Sequence, residues 1–450
     1  MGKRTLFGTD GIRGEANRHP MSAEVALRLG RAIAVRLARG SSHQPRVLIG
    51  KDTRRSCYMI EMALASGLCS AGANVMLVGP LPTPGVAFMT AGMRADAGVM
   101  ISASHNAFQD NGIKIFAGDG FKLPDEVESE LEALIEAGVG DLPTGADIGR
   151  AYRIDDAHGR YAVFAKLVFP RQYTLDGMKI VVDCAHGAAY RVAPEVLSEL
   201  GAEVVAMGCG PNGVNINDGV GALYPEQLAE RVRAEGAQIG VALDGDADRC
   251  ILVDEKGNVT DGDQILAILG LQMLADGTLT HNTVVATVMS NLGLNRALEA
   301  AGGKLERTQV GDRYVVERMR AEGYVLGGEQ SGHIVSLSHT TTGDGLVSAL
   351  SVLGVMVRSG KPLSELAQAL VHYPQVLKSI KVARKPPLDT LPEVMKAIEA
   401  VEARYAGEGR VLVRYSGTEN KARVMVEGPD EGAITADCDM LCELLATALA

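Results

Sequence analysis

A repeating rhythm limits the fold of this chain more than any other feature. Short apolar runs alternate with longer stretches of helical period, and the pattern starts over twice. In the first unit, residues 47–52 and 74–79 read as strands. Helices are predicted over 22–39, up to about 71, and over 126–136. Ser22 can cap the first helix, where Val25, Leu29, Ile33 and Leu37 recur every four residues. Leu81-Pro-Thr-Pro84 reads as a rigid turn, and a helix is expected near 155–167. The second unit offers strands at 179–183, 203–206 and 239–244 with a helix over 190–200. The third offers strands at 282–288, 305–310 and 324–327 with a helix over 292–301. Strand–helix alternation argues for α/β units with mostly parallel strands.

After about 370 the pattern changes. Lys385-Pro-Pro387 breaks the chain, and a helix over 391–405 precedes two alternating strands, 410–414 and 422–426. A final helix follows over 434–449. The expected fold is three similar tandem α/β domains with mixed sheets and a smaller C-terminal α+β domain around a central cleft. The boundaries are drawn at 1–158, 159–256, 257–370 and 371–450.

Charge and cysteine usage narrow the function classes. The chain has 450 residues and a net charge of −11, with no basic run, which argues against nucleic-acid binding. Phosphate groups would have to be met by a few local arginines. The seven cysteines are scattered with no C-x-x-C pair, as expected of reduced thiols in a cytoplasmic protein. The N-terminal stretch lacks the apolar region of a signal peptide. The longest apolar stretch, 346–357, is too short for a bilayer and reads as a core helix, so no membrane association is expected.

Four stretches carry polar chemistry. Asp244-Gly-Asp-Ala-Asp-Arg249 sits between apolar strands, and its alternate carboxylates can point to one side of an extended segment. Such a cluster repels itself unless a cation joins it, and oxygen ligands without His or Cys favour Mg²⁺ or Ca²⁺. An EF-hand is excluded by Arg249 at its glycine position and by strand-like flanks. Ser102-Ala-Ser-His-Asn106 follows the apolar run 99–101. Asp110-Asn-Gly112 reads as a turn before a second extended run, 113–116. A hydroxyl where a buried strand opens into a loop suits a nucleophile, and an ordinary Ser-rich turn fits equally well. Gly327-Gly-Glu-Gln-Ser-Gly-His333 could serve sugar hydroxyls. Arg414-Tyr-Ser-Gly-Thr-Glu-Asn420, with Arg423 on the next strand, offers donors for a phosphate.

In that order and spacing, these stretches resemble the α-D-phosphohexomutase superfamily. The opening Phe7-Gly-Thr-Asp-Gly-Ile-Arg-Gly14 and Gln330 resemble its bacterial phosphoglucosamine mutase branch. Relatives acting on mannose or glucose phosphates usually carry Met at the position of Gln330. One departure is Ala107, where the family commonly has Pro.

The resemblance implies that Ser104 is the phosphorylated nucleophile and that it holds one Mg²⁺ together with Asp244, Asp246 and Asp248. Lys114 would transfer protons, helped by Arg13 and His105, with Arg249 near the transferring phosphate. Glu329, Gln330, Ser331 and His333 would bind the sugar. Arg414, Ser416, Gly417, Thr418 and Arg423 would bind the far phosphate. The implied reaction interconverts glucosamine 6-phosphate and glucosamine 1-phosphate through a 1,6-bisphosphate and feeds UDP-N-acetylglucosamine and cell-wall precursor synthesis. A sugar 1,6-bisphosphate or a kinase would load the serine. The expected partner is a small sugar phosphate, and a homodimer is compatible with the chain. The rival readings are a phosphomannomutase/phosphoglucomutase, an aspartyl-phosphate phosphatase using Asp244, and a non-catalytic sugar-phosphate sensor.

Overall fold

The computed structural model describes residues 6–8, 10–39, 41–416 and 420–449. The first unit is built on a seven-stranded sheet in the order Phe7–Gly8, Gly11–Glu15, Asp110–Ala117, Ala97–Ile101, Arg46–Lys51, Asn74–Pro80, Ala151–Arg153. The strands from Ala97–Ile101 to Ala151–Arg153 pair in parallel. The other half is antiparallel. A mostly parallel sheet therefore describes only one half, and the antiparallel half carries the candidate nucleophile.

The second unit has the order Val259–Thr260, Cys250–Asp254, Ile239–Leu243, Lys179–Asp183, Glu203–Met207. The third has Lys304–Thr308, Thr283–Thr287, Leu326–Gly328, Ile334–Ser336. The C-terminal sheet is antiparallel, in the order Gln375–Lys381, Lys421–Glu427, Arg410–Tyr415. The sequence pattern predicts only a pair of strands there. Gln375–Lys381 is half exposed with lysines along it, so its pattern is weak.

Strand alternation decides which core each residue joins. Val47 and Ile49 bury against the helices Ala23–Ala38 and Arg55–Ser70. Leu48 between them points the other way, into a core shared with Val182 and Leu243 of the second unit and Val284 and Leu350 of the third. That shared core sets the three sheets against one another. The C-terminal unit has its own cluster around Val401, Val424 and Leu441.

Several helices lack a readable stripe. Thr83–Gly92 and Gly262–Ala275 are apolar and buried around most of their surface, so no polar face reveals the period. The predicted rigid turn at 81–84 is the entry to the first of these, with Pro84 in its opening turn. Pro225–Glu235 and Asp312–Glu322 are also missed, each carrying only a short apolar stripe, Leu228, Ala229 and Val232 in the first and Val315 and Met319 in the second, within a charged sequence. Helix Gly345–Ser359 is buried as expected. No single helix among the described residues is long and apolar enough to cross a membrane. All seven cysteines are free thiols.

The helices Ala23–Ala38 and Arg55–Ser70 approach closely at two glycines. A Cβ on Gly67 would run into the Leu27 carbonyl, and one on Gly30 into that of Leu64. Gly67→Ala should therefore destabilise the protein by about 1–3 kcal/mol despite a helix-propensity gain of about 1 kcal/mol. Thermal denaturation checks this, and an unchanged or raised midpoint would contradict the close packing.

Candidate active site

The candidate nucleophile lies on the loop of an antiparallel hairpin. Strands Ala97–Ile101 and Asp110–Ala117 pair with Met100 opposite Lys114. Asp110-Asn111-Gly112, expected as a turn, is the start of the second strand. Gly112 serves close approach: a Cβ there would lie 2.5 Å from the Ser102 carbonyl oxygen. The chain reverses before it, between Ala103 and Gln109, and Ser104 adopts a left-handed φ of 52°.

The two serines have different partners. Ser102 Oγ donates to Asp52 Oδ2 at 2.5 Å and accepts the Ser104 N–H at 2.9 Å, so it is tied into the loop. Ser104 Oγ donates to Asp244 Oδ2 at 2.6 Å and lies 3.3 Å from His105 Nδ1. The Ser104 side chain thus crosses from the first unit to the acidic loop of the second.

Asp244, Asp246 and Asp248 each offer an oxygen within 4.8 Å of the others, and all three are buried. They converge through a turn rather than an extended segment, with Ala247 at a φ of 57°. Thr83 Oγ1 donates to Asp246 Oδ2 at 2.6 Å. Lys114 Nζ reaches Asp246 Oδ2 and Asp248 Oδ2 at 2.9 Å each. Burial and repulsion from Asp248 and Asp246 push the Asp244 carboxyl well above the usual range. Burial also opposes charge on Asp248, but Lys114, His333 and Arg249 bring it down to about 2. Burial would lower Lys114, yet Asp10, Asp246 and Asp248 hold its ammonium well above the usual lysine value. The buried oxygens Asp246 Oδ1 and Asp248 Oδ1 have no hydrogen-bond partner. Three clustered carboxylates with unpaired oxygens suit a hard divalent cation.

Further charged groups surround this centre. Arg13 pairs with Asp10, and Lys122 bridges Asp10 to Asp312 of the third unit. His333 Nε2 lies 3.5 Å from Asp312 and 3.9 Å from Asp248. The His105 imidazole is driven down to about 4 by burial and by Arg249 and Arg13, so it is neutral at pH 7. Arg249 donates its backbone N–H to Asp244 Oδ1 at 3.1 Å.

The predicted sugar loop follows strand Leu326–Gly328. It meets the acidic loop where the Cys250 N–H donates to the Gly332 carbonyl at 3.0 Å. Glu329 Oε1 accepts the Gly311 N–H at 3.1 Å. Gln330 points toward Asp261, with Nε2 3.4 Å from its carboxylate, and Ser331 is exposed. In the C-terminal unit, Arg414 and Arg423 face each other across the strand pair, and the Ser416 carbonyl accepts from Lys385 Nζ at 2.7 Å. Thr9, Gly417, Thr418 and Glu419 lie outside the described residues.

Ser104, Lys114, the three aspartates, Arg249 and His333, drawn from three units, are thus brought into one cluster. Sequence reading passed over Thr83, Lys122, Asp312, Asp52, Arg54 and Asn217. Thr83, Lys122 and Asp312 fall in no recognised motif, and their partners are more than a hundred residues away.

The raised Asp244 carboxyl has a measurable consequence. A group whose pKa is raised holds its proton until the pH passes the shifted value, and a divalent cation must displace that proton. Mg²⁺ binding should release protons, and apparent affinity should rise with pH across the titration. Calorimetry in buffers of different ionisation enthalpy measures this. Identical enthalpies in all buffers would show that Asp244 is already ionised.

The chain matches all four domain families of phosphoglucomutase/phosphomannomutase: α/β/α domain I over residues 4–139, domain II over 163–257, domain III over 261–373 and the C-terminal domain over 377–444. It is 59% identical to the phosphoglucosamine mutase of Anaeromyxobacter dehalogenans, covering 99% of each chain. It is 58% identical to that of Myxococcus xanthus, covering 99% of this chain and 97% of the relative. A phosphoglucomutase/phosphomannomutase family protein from Burkholderia thailandensis superposes with a TM-score of 0.82 at 24% identity, covering 98% of this chain and 97% of its own. The N-acetylphosphoglucosamine mutase of Aspergillus fumigatus, solved with GlcNAc-6P and magnesium, superposes at 0.67 with 17% identity, covering 100% and 96%. The chain therefore belongs to the phosphoglucomutase/phosphomannomutase family, within its phosphoglucosamine mutase branch, and is an isomerase.

Proposed function

We propose that this enzyme interconverts glucosamine 6-phosphate and glucosamine 1-phosphate by carrying a phosphoryl group on Ser104. The observation that carries the reading is the 2.6 Å contact between Ser104 Oγ and Asp244, beside Lys114 and two further buried carboxylates. Asp244, Asp246 and Asp248, with a phosphoserine oxygen, would hold one Mg²⁺. That cation, when bound, supplies neutralising charge for the transferring phosphoryl group.

In the forward half-reaction, the sugar's 1-hydroxyl takes the phosphoryl group as its bond to Ser104 Oγ breaks. Lys114, as the neutral amine, takes the hydroxyl proton and passes it to the departing Ser104 Oγ; in the second half the proton runs back from Ser104 Oγ through Lys114 to the sugar oxygen that gives up its phosphate. Asp10, Asp246 and Asp248 keep Lys114 as an ammonium in the free protein. Asp246 and Asp248 would hold the ammonium less strongly once they share a Mg²⁺, which favours the neutral amine that proton exchange requires. Arg13 and neutral His105 assist it, and Arg249 stabilises charge on the phosphoryl oxygens. Glu329, Gln330, Ser331 and His333 recognise the sugar. Arg414, Ser416, Gly417, Thr418 and Arg423 bind the phosphate that is not reacting.

The intermediate is glucosamine 1,6-bisphosphate, which must turn so that its other phosphate meets Ser104. A C-terminal unit able to move relative to the body would allow this. Its separate core and the clamp of Tyr373 by Asn291, with hydrogen bonds of 2.9 and 3.0 Å, support a hinge near 373. A sugar 1,6-bisphosphate or a kinase first loads the serine.

Intact mass before and after phosphatase treatment, with peptide mapping, should find one phosphate on Ser104. Ser104→Ala should lower turnover by about a thousandfold or more. Phosphate on another residue would refute the assignment. Rates on glucosamine phosphates should exceed those on glucose and mannose phosphates, and the reverse order would favour a phosphomannomutase/phosphoglucomutase. Tethering the C-terminal unit to the body should slow turnover, and unchanged turnover would remove the hinge.

A further inference from the structure

The loop that presents Ser104 does not hold its shape by itself. The carbonyl oxygens of Ser104 and Asn106 converge on one region, and Ser104 sits in the left-handed backbone conformation. Converging carbonyl dipoles repel unless donors lie between them, and a left-handed non-glycine residue carries its own cost. Two side chains supply the donors. The Arg54 guanidinium is fully buried and pairs with Asp52, and its Nη2 donates to the Ser104 carbonyl at 3.1 Å and the Asn106 carbonyl at 2.5 Å. Asn217, from the second unit, donates through Nδ2 to the same two oxygens at 2.9 and 3.0 Å.

We propose that Arg54 and Asn217 are positioning residues for phosphoryl transfer, a pair of donors that fixes the Ser104 backbone so that Oγ faces the aspartate cluster. The inference rests on the reading of Ser104 as the phosphorylated residue. A buried arginine often serves only to neutralise an aspartate. Here the guanidinium also reaches past Asp52 to two loop carbonyls, and a second donor, from a loop of the second unit, repeats both contacts. The acidic loop closes against the same point. A Cβ on Gly245 would lie 2.5 Å from the Ser104 carbonyl oxygen and 2.9 Å from Asn217 Nδ2. Asp244, the partner of Ser104 Oγ, is the adjacent residue. Asn217 is itself anchored, its N–H donating to the Ala185 carbonyl at 2.9 Å. Nucleophile and carboxylates are therefore registered through one shared contact. Without the donors the loop can relax toward right-handed φ, which swings Oγ away from Asp244.

The test uses full-length protein loaded with phosphate from glucosamine 1,6-bisphosphate. Rapid quenching measures transfer to glucosamine 6-phosphate, normalised to the phosphoserine counted by intact mass. Misplacement by about 1 Å can cost about a hundredfold in rate. Asn217→Ala should slow transfer by about 10- to 100-fold, with KM for the sugar phosphate within about threefold of the parent. The ³¹P resonance of the phosphoserine should move or broaden. Asn217→Asp, which faces both carbonyls with an acceptor, should be slower still. Arg54→Lys, which keeps a cation beside Asp52 but loses the forked donor, should slow transfer in the same way. Transfer by Asn217→Ala within twofold of the parent would overturn the proposal. So would a loss confined to KM with an unchanged ³¹P spectrum. Absence of phosphate on Ser104 in the parent would instead overturn the phosphoserine reading, and this inference with it. Phosphate present with undiminished transfer overturns this inference alone.

Discussion

Three buried carboxylates within 4.8 Å of one another set the terms for the rest of this structure. Left alone they would repel in a poorly solvated place, and donors from other units offset that repulsion. Lys114 from the first unit reaches two of them, and Ser104 donates to the third. His333 and Asp312 extend the charge network into the third unit. One electrostatic problem thus draws on three sheets.

The packing beneath supports this use. Three of the candidate loops leave the ends of strands Ala97–Ile101, Ile239–Leu243 and Leu326–Gly328. The crevice outside the carboxyl ends of strands is where open α/β sheets bind ligands. Here the shared core, running from Leu48 through Val182 and Leu243 to Leu350, holds those strand ends against one another. Glycine makes the close approaches possible where loops touch, at Gly112 against Ser102 and at Gly245 against Ser104. The C-terminal unit has a core of its own and meets the third unit through polar contacts, Arg410 donating to the Val288 and Ser290 carbonyls and Glu427 accepting the Leu292 N–H.

The isomerase assignment and the site geometry meet in the division of labour between the two serines. Ser102 makes the loop rigid through Asp52, and Ser104 faces the carboxylates. A phosphoryl carrier needs both: a frame that does not shift when charge is added, and a hydroxyl aimed at charge-neutralising groups.

Local chemistry alone made much of this legible. The periodicity of 22–39 and 391–405, the apolar runs at 179–183 and 239–244, and the polar stretches at 102–106, 244–249, 327–333 and 414–420 depend on neighbours in the chain. Each could therefore be read from the sequence. What could not be read depended on distant partners. Thr83–Gly92 and Gly262–Ala275 are helices whose burial on most sides erases the stripe. Asp110–Gly112 has turn composition but pairs as a strand with Arg13–Glu15, about a hundred residues earlier, and Gly112 there lets the Ser102 carbonyl come close. Arg54, Asn217, Lys122 and Asp312 carry no motif, and their importance arises only when the fold sets them beside Ser104, Asn106, Asp10 and His333. The sequence by itself determined which residue types could do the chemistry. The tertiary structure decided which of them meet, because burial and convergence are properties of distant contacts and not of neighbours along the chain.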